Sequence, residues 1–265
     1  MSTRPWTAIP IHDSGEPLEP LPADLLRLEP HPYAALGAPY GSAASPFRLR
    51  PALNRRLLHA QTLLRQEQPG WGLAIFDAWR PLAVQAFMVE HSIAGTCRER
   101  GIDPAVASPA REAVVAEVGR FWAPPNPDPS APPPHSTGGA VDLTLAGPDG
   151  GPLDMGSAID AIGPVSEPDH FLHACRACPD PELEGRYRCW HARRSLLRRV
   201  MEQAGFAQHP NEWWHFSWGD QLLAWRTGQP RALYGRRKIS SARGPLRYDS
   251  RGIGVNSHPP PPIAA

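Results

Sequence analysis

The stretch His135-Ser136-Thr137-Gly138-Gly139-Ala140-Val141-Asp142-Leu143-Thr144-Leu145-Ala146 decides how this 265-residue chain is read. The paired glycines rule against one continuous helix, so His135 hangs from a loop and a strand follows over 140–146. Strand side chains alternate, which puts Ala140, Asp142 and Thr144 on one face and Val141, Leu143 and Leu145 in the core on the other. A carboxylate on a sheet thus faces a glycine-shaped histidine loop.

Further along stands Glu212-Trp213-Trp214-His215, and the aromatic run 213–218 reads as a second strand. Glu212 and His215 would share a face on a helix but oppose each other on a regular strand. Their spacing therefore predicts a turn or bulge at Asn211-Glu212, after Pro210, that swings Glu212 to the side of His215. Two imidazoles and a carboxylate bind a zinc ion while leaving its fourth position open, and a further carboxylate beside it is what such a site needs to deprotonate water. His135, Asp142 and His215 are the candidate ligands for one zinc ion per chain, and Glu212 is the candidate general base and acid. Such a set suggests a hydrolase.

Around these motifs, Leu53, Leu57, Ala60 and Leu64, with Leu58 and Leu63, recur at helical spacing and predict an amphipathic helix over 52–66. A buried strand follows over 71–78, and Pro81 suits the first turn of a helix over 83–93. Arg80 then lies at a strand-to-helix junction, a fixed cation for the oxyanion that develops on an attacked carbonyl. It also fits a plain ion pair with Asp77. Helices over 111–121 and 191–204, the second closed by Gly205, complete the pattern. Helices and strands without a regular βαβ rhythm point to an α+β fold, a single domain with flanking helices on a mostly antiparallel central sheet.

Composition narrows the class. With 41% hydrophobic residues the chain can build a sizeable core, and a net charge of +1 gives no sign of a nucleic-acid or membrane-surface partner. The first twenty residues carry Asp13, Glu16 and Glu19 and do not read as a signal peptide; no apolar run approaches the roughly 20 residues that span a bilayer. A cytoplasmic protein is expected, and Cys97, Cys175, Cys178 and Cys189 are too few for a disulfide scaffold. Cys175-x-x-Cys178 invites a second zinc site with Cys189 and His173 or His191, but one such pair is a weak signal against free thiols in a loop. The other histidines, His31 and His209 among them, show no constellation.

Four blocks in order carry a resemblance: Asp77-Ala78-Trp79-Arg80-Pro81; His135-x-x-Gly138-x-Ala140-x-Asp142-Leu143-Thr144-Leu145; Met155-Gly156-Ser157-x-x-Asp160; and Gly205-Phe206 with Glu212-Trp213-Trp214-His215. From about Tyr33 to Trp218 the chain resembles the D-alanyl-D-alanine dipeptidase family, the VanX-like zinc dipeptidases. The resemblance implies that His135, Asp142 and His215 bind zinc, that Glu212 is the catalytic base and that Arg80 stabilises the tetrahedral intermediate. It also implies that Asp160 holds the free ammonium of a dipeptide, with Tyr33 nearby. By residue type alone Asp160 also fits a helix cap, and Tyr33 an aromatic at the core edge. Where the family usually has a serine two residues before its first histidine ligand, this chain has Pro133.

The expected activity is hydrolysis of D-alanyl-D-alanine or related D,D-dipeptides by a zinc-activated water, with a small-molecule dipeptide as partner. The expected domains are an N-terminal extension (1–30), a zinc peptidase domain (31–228) and a C-terminal extension (229–265) whose last part reads as disordered. One alternative is a peptidoglycan D,D- or L,D-carboxypeptidase or endopeptidase on the same zinc fold. Another is a non-catalytic zinc-binding module, of which loss of the base would be the clearest sign; Glu212 is present.

Overall fold

The computed structural model describes residues 4–41 and 45–238, so the tail read as disordered lies outside the described residues. The short strands β1 (Glu19–Pro20), β2 (Leu26–Arg27) and, after helix α1 (Pro32–Ala35), β3 (Arg48–Leu49) lead into helix α2 (Pro51–Glu67). Strand β4 (Gly72–Asp77), helices α3 (Leu82–Glu99) and α4 (Pro109–Phe121) and strand β5 (Ala140–Ala146) follow. Helices α5 (His170–Arg176) and α6 (Pro181–Gln203), strands β6 (Ala207–Gln208) and β7 (His215–Ser217) and helix α7 (Gln221–Arg226) complete the order. The fold is α+β. Its main sheet runs β2-β4-β5-β7-β6 and is antiparallel except at the β2–β4 edge.

Helix α2 forms where the leucine stripe predicts it, with Pro51 in its first turn, where the missing N–H costs nothing. Leu53, Leu57, Ala60 and Leu64 are fully buried, and with Leu197, Val200 and Met201 of α6 they cover Leu73, Ile75, Val141, Leu143, Leu145 and Phe216 of the sheet. A second apolar cluster built by α3 and α4 includes Tyr33, Val84, Met88, Val118, Phe121 and Trp122. Strand β5 is consequently buried along its whole length, Asp142 and Thr144 included. A polar face enclosed in this way has to satisfy its own charges.

Several boundaries differ from the sequence expectation for local reasons. Helix α6 starts at Pro181 rather than 191, because Asp180 caps it by accepting from the amides of Glu182 (3.0 Å) and Leu183 (3.4 Å). Strand β7 begins only at His215, since Trp213 and Trp214 lie in the preceding turn and the Trp213 amide donates to the Ser166 carbonyl at 2.9 Å. Along β4 the register slips: Ile75 pairs with Leu143 but Asp77 pairs with Asp142, leaving Phe76 as the extra residue. This bulge turns Asp77 toward the side of Asp142.

Arg50, fully buried, ties distant segments together. Its guanidinium donates to the carbonyls of Thr137 (2.7 Å), Gly235 (2.8 Å) and Glu16, and its amide donates to the Gly138 carbonyl at 3.2 Å. The chain around His135 is thereby fixed to both the 13–16 segment and the 235 region. Replacing Arg50 with Met strands these buried carbonyls, and chemical denaturation is expected to show a loss of about 2–4 kcal/mol. An unchanged midpoint would contradict this role.

Candidate active site

Asp142 on β5 and His215 on β7 are direct cross-strand partners, on the face opposite Val141, Leu143 and Phe216. His135 reaches the same point from the 3-10 turn Pro134–Thr137, whose exit through left-handed Gly138 (φ 70°) feeds the chain into β5. It is the positive φ that favours glycine here; a Cβ would also press on the Leu18 methyl Cδ2 at 2.3 Å, which that side chain would have to turn aside to relieve.

His135 Nε2 lies 3.2 Å from Asp142 Oδ2 and 3.1 Å from His215 Nδ1, and His215 Nδ1 lies 3.0 Å from Asp142 Oδ1. The outward ring nitrogens are engaged. His135 Nδ1–H donates to the Ala78 carbonyl at 2.7 Å, and His215 Nε2–H donates to Ser217 Oγ at 3.3 Å, whose hydroxyl donates to Asp220 Oδ2 at 2.7 Å. These partners assign the tautomers and leave both inward nitrogens with lone pairs. Asp142 Oδ1 is buried and accepts no hydrogen bond among the described residues. Lone pairs and a carboxylate that converge without a proton to share call for a cation. Among the described residues these three form the one His/Cys/Asp/Glu set able to hold a metal ion, their ligand atoms lying within 4.8 Å of one another. Two imidazoles and one carboxylate suit zinc with a position left open.

Glu212 sits in the turn between β6 and β7, buried, with Oε2 3.6 Å from His215 Nδ1. The turn at Asn211-Glu212 does bring it to the side of His215. Burial, and next the negative charge of Asp142, push its carboxyl up to about 8, against the pull of Arg4, His135 and Arg80. A cation at the neighbouring cluster would draw it back toward the ionised form.

Arg80 is pinned from several sides. Its Nε donates to Asp77 Oδ2 at 2.9 Å, Nη1 to Gln85 Oε1 at 3.0 Å, and Nη2 to the Tyr33 hydroxyl at 3.2 Å and Asp142 Oδ2 at 3.3 Å. Its guanidinium also stacks over Tyr33 and Trp122, 4.9 Å from each ring centre. The pairing with Asp77 and the placement beside the candidate ligands are therefore both present. Asp77 in turn accepts from Tyr40 (3.1 Å) and contacts His31 Nε2 (3.0 Å). Burial opposes its charge, but Arg80 and then His31 hold its carboxyl below the usual range.

Tyr33 is buried rather than at the core edge, and its hydroxyl donates to Asp160 Oδ2 at 2.7 Å. Among the described residues Asp160 caps no helix; it occupies a left-handed turn (φ 65°), a conformation rare for a residue with a side chain but more accessible to Asp than to most. Burial, and next Asp142, push its carboxyl up to about 7, with Arg80 and the Tyr33 hydroxyl pulling the other way. The loop that carries it is held by Arg194, which donates to the carbonyls of Met155 (2.9 Å) and Val165 (2.9 Å) and to Ser157 Oγ (2.9 Å). Ser157 Oγ also accepts from Trp213 Nε1 at 3.0 Å, linking this loop to the Glu212 turn.

His135, Asp142, His215, Glu212, Arg80 and Asp160 line a cleft of about 440 Å³, mouth included, walled by Phe121, Trp122, Pro134 and Trp214. Two lining residues with basic side chains, His209 and Arg4, have no role expected from the sequence, where His209 stands outside any constellation. His209 has Nδ1 3.5 Å from Glu212 Oε1 and its ring edge-on to that of His215, and Arg4 reaches the cleft from the other end of the sequence. Neither belongs to a local spacing pattern.

Across residues 27–231 the chain matches the Peptidase_M15 family profile, described as D-ala-D-ala dipeptidase. It is 42% identical over 242 residues to a D-alanyl-D-alanine dipeptidase from Synechocystis sp., covering 88% of this chain and 96% of that one. The D-alanyl-D-alanine dipeptidase of Escherichia coli K12 is 28% identical over 158 residues, covering 59% of this chain and 60% of its own. The solved structure of the vancomycin-resistance D,D-pentapeptidase VanY in complex with Zn(II) aligns over 86% of this chain and 97% of its own, at 15% identity and a TM-score of 0.40, too loosely to bear on the site.

The arrangement around Arg80 is directly testable. A single ammonium cannot reach Asp77, Gln85, Tyr33 and Asp142 together, so Arg80→Lys is expected to cost about 1–3 kcal/mol in chemical denaturation. Wild-type stability in that variant would show that the fork of donors is not what holds these groups.

Proposed function

The chain belongs to the D-alanyl-D-alanine dipeptidase family, and from that premise we propose that it hydrolyses D-alanyl-D-alanine or a closely related D,D-dipeptide with zinc as cofactor. The observation that carries the proposal is the converging set of His135, Asp142 and His215, with Glu212 beside it and Arg80 anchored behind it.

His135 through Nε2, Asp142 through its carboxylate and His215 through Nδ1 would hold the metal. When bound, zinc supplies Lewis-acid polarisation of water and of the scissile carbonyl. Glu212 takes the proton from the attacking water on a carboxylate oxygen and passes it to the leaving amine. Its placement supports this role: the carboxylate is buried beside the candidate ligand His215, within reach of a water at the metal and shielded from bulk solvent. Arg80 offsets the negative charge that grows on the carbonyl oxygen, and its bonds to Asp77 and Gln85 spare it any reorganisation during the step. Asp160, with the Tyr33 hydroxyl on Oδ2, receives the substrate ammonium. Trp122 and Trp214 limit water in the cleft, which strengthens each of these electrostatic contacts.

Residues 31–228 are taken as the peptidase domain, with extensions on either side. We further infer a cytoplasmic location and a role in turning over cell-wall peptides. Support comes from the cysteines, all four free thiols as a reducing compartment leaves them, and from D-Ala-D-Ala itself, a building unit of the cell wall. Among the described residues no helix is long and apolar enough to cross a membrane.

Glu212→Gln is expected to retain one zinc per chain by elemental analysis while losing roughly 10²–10⁴-fold in kcat. Retention of kcat would remove Glu212 from the proton transfers. In parallel, the zinc-loaded protein should release alanine from D-Ala-D-Ala in preference to the L,L-dipeptide and leave the N-acetylated D,D-dipeptide intact. Turnover of the acetylated form at the same rate would exclude ammonium recognition by Asp160, and failure to cleave any free dipeptide would sink the proposed activity.

A further inference from the structure

A free dipeptide carries a carboxylate as well as an ammonium, and a carboxylate entering a cleft of this depth needs a donor with spare positive charge. Among the described residues Arg80 and Arg4 are the only Arg or Lys side chains lining the cleft. Arg80 directs four of its five N–H donors to Asp77, Gln85, Tyr33 and Asp142, and its charge is already offset by Asp77 and Asp142. Gln85, a further N–H donor there, gives its amide to the Ala123 carbonyl at 2.7 Å.

Arg4 is differently placed. Its guanidinium meets neutral acceptors only, the carbonyls of Gly119 (3.4 Å) and Phe121 (3.5 Å) and Nε2 of His209 (3.5 Å), each beyond the usual range for N–H donors. It forms no ion pair among the described residues. The segment that carries it is nevertheless well seated. Trp6 is buried against the His209 and Trp225 rings, 5.5 Å from each, and Gln221 Nε2 donates to the carbonyls of Thr7 (3.3 Å) and Ile9 (2.6 Å). A positioned, half-buried cation with only long bonds to neutral groups retains donors for an incoming anion.

We propose that Arg4 binds the C-terminal carboxylate of the substrate, so that the cleft recognises a dipeptide by both charged ends, the ammonium at Asp160 and the carboxylate at Arg4. This rests on the dipeptidase activity proposed above. Arg4 and Asp160 line the same cleft, and among the described residues they share no bonding partner. A second charged anchor also sets the length of the substrate: a peptide continuing beyond its second residue places an amide, not a carboxylate, at the guanidinium.

The test compares D-Ala-D-Ala with D-alanyl-D-alaninamide, which lacks the carboxylate, on wild-type zinc enzyme and on Arg4→Met and Arg4→Lys. Arg4→Met should lower kcat/KM for the free acid about 10- to 100-fold and leave the amide unchanged, with Arg4→Lys recovering part of the loss. Equal losses on both substrates would mean that Arg4 acts through His209 or Glu212, and no loss on either would mean that it is only structural; both overturn the proposal. To separate this result from failure of the dipeptidase activity, calorimetric binding of the same two compounds is measured on zinc-loaded Glu212→Gln with and without Arg4→Met. Selective weakening of the free acid by Arg4→Met supports the carboxylate role even where wild type turns nothing over. Equal affinities with and without Arg4, or no binding to either, overturn it.

Discussion

Too many acceptors and too few permanent cations are buried at one point of this molecule. Asp77, Asp142 and Glu212 are all below a tenth exposed, two imidazole lone pairs point at each other, and among the described residues Arg80 is the one guanidinium in bonding contact with the cluster. Uncompensated charge in such surroundings is costly, so the layout must supply partners. Arg80 neutralises part of the excess by bridging Asp77 and Asp142. The unpartnered Oδ1 of Asp142 and the facing nitrogens of His135 and His215 remain, and a metal cation completes them.

The surrounding fold keeps this arrangement rigid. Asp142 and His215 stand on paired strands, the bulge at Phe76 adds Asp77 to the same side, and the main core packs against the opposite face. The irregular segments are fixed by buried arginines. Arg50 holds the turn that presents His135, and Arg194 holds the loop that presents Asp160 and, through Ser157, the Trp213 side chain next to Glu212. Loops pinned in this way can position functional groups nearly as well as strands do.

Features of the sequence that act locally were legible. Gly138-Gly139 marked the turn after His135, alternation in 140–146 put Asp142 opposite the core residues, and the spacing of Glu212 and His215 required the turn that is found there. The leucine stripe gave α2 to within a residue at each end. The start of α6 was also written in Asp180-Pro181-Glu182, a cap, a first-turn proline and an acidic first turn, but its apolar stripe is diluted by charged residues before Leu196. The bulge at Phe76 has no local signature, because which residue of a strand goes unpaired is set by its neighbours. His31, His209 and Arg4 owe their places to contacts across the fold: Arg4 and His209 meet from 205 positions apart, and His31 reaches Asp77 across 46.

The central claim is that the lone pairs of His135, Asp142 and His215 are completed by one zinc ion, and X-ray absorption at the zinc edge of the loaded protein tests it most directly. The donor set predicts a shell of nitrogen and oxygen neighbours alone at about 2.0–2.2 Å, with the multiple-scattering signature of two imidazoles. A sulfur shell at about 2.3 Å would place the metal at the cysteines instead, and a spectrum of hydrated zinc without imidazole would contradict the site altogether.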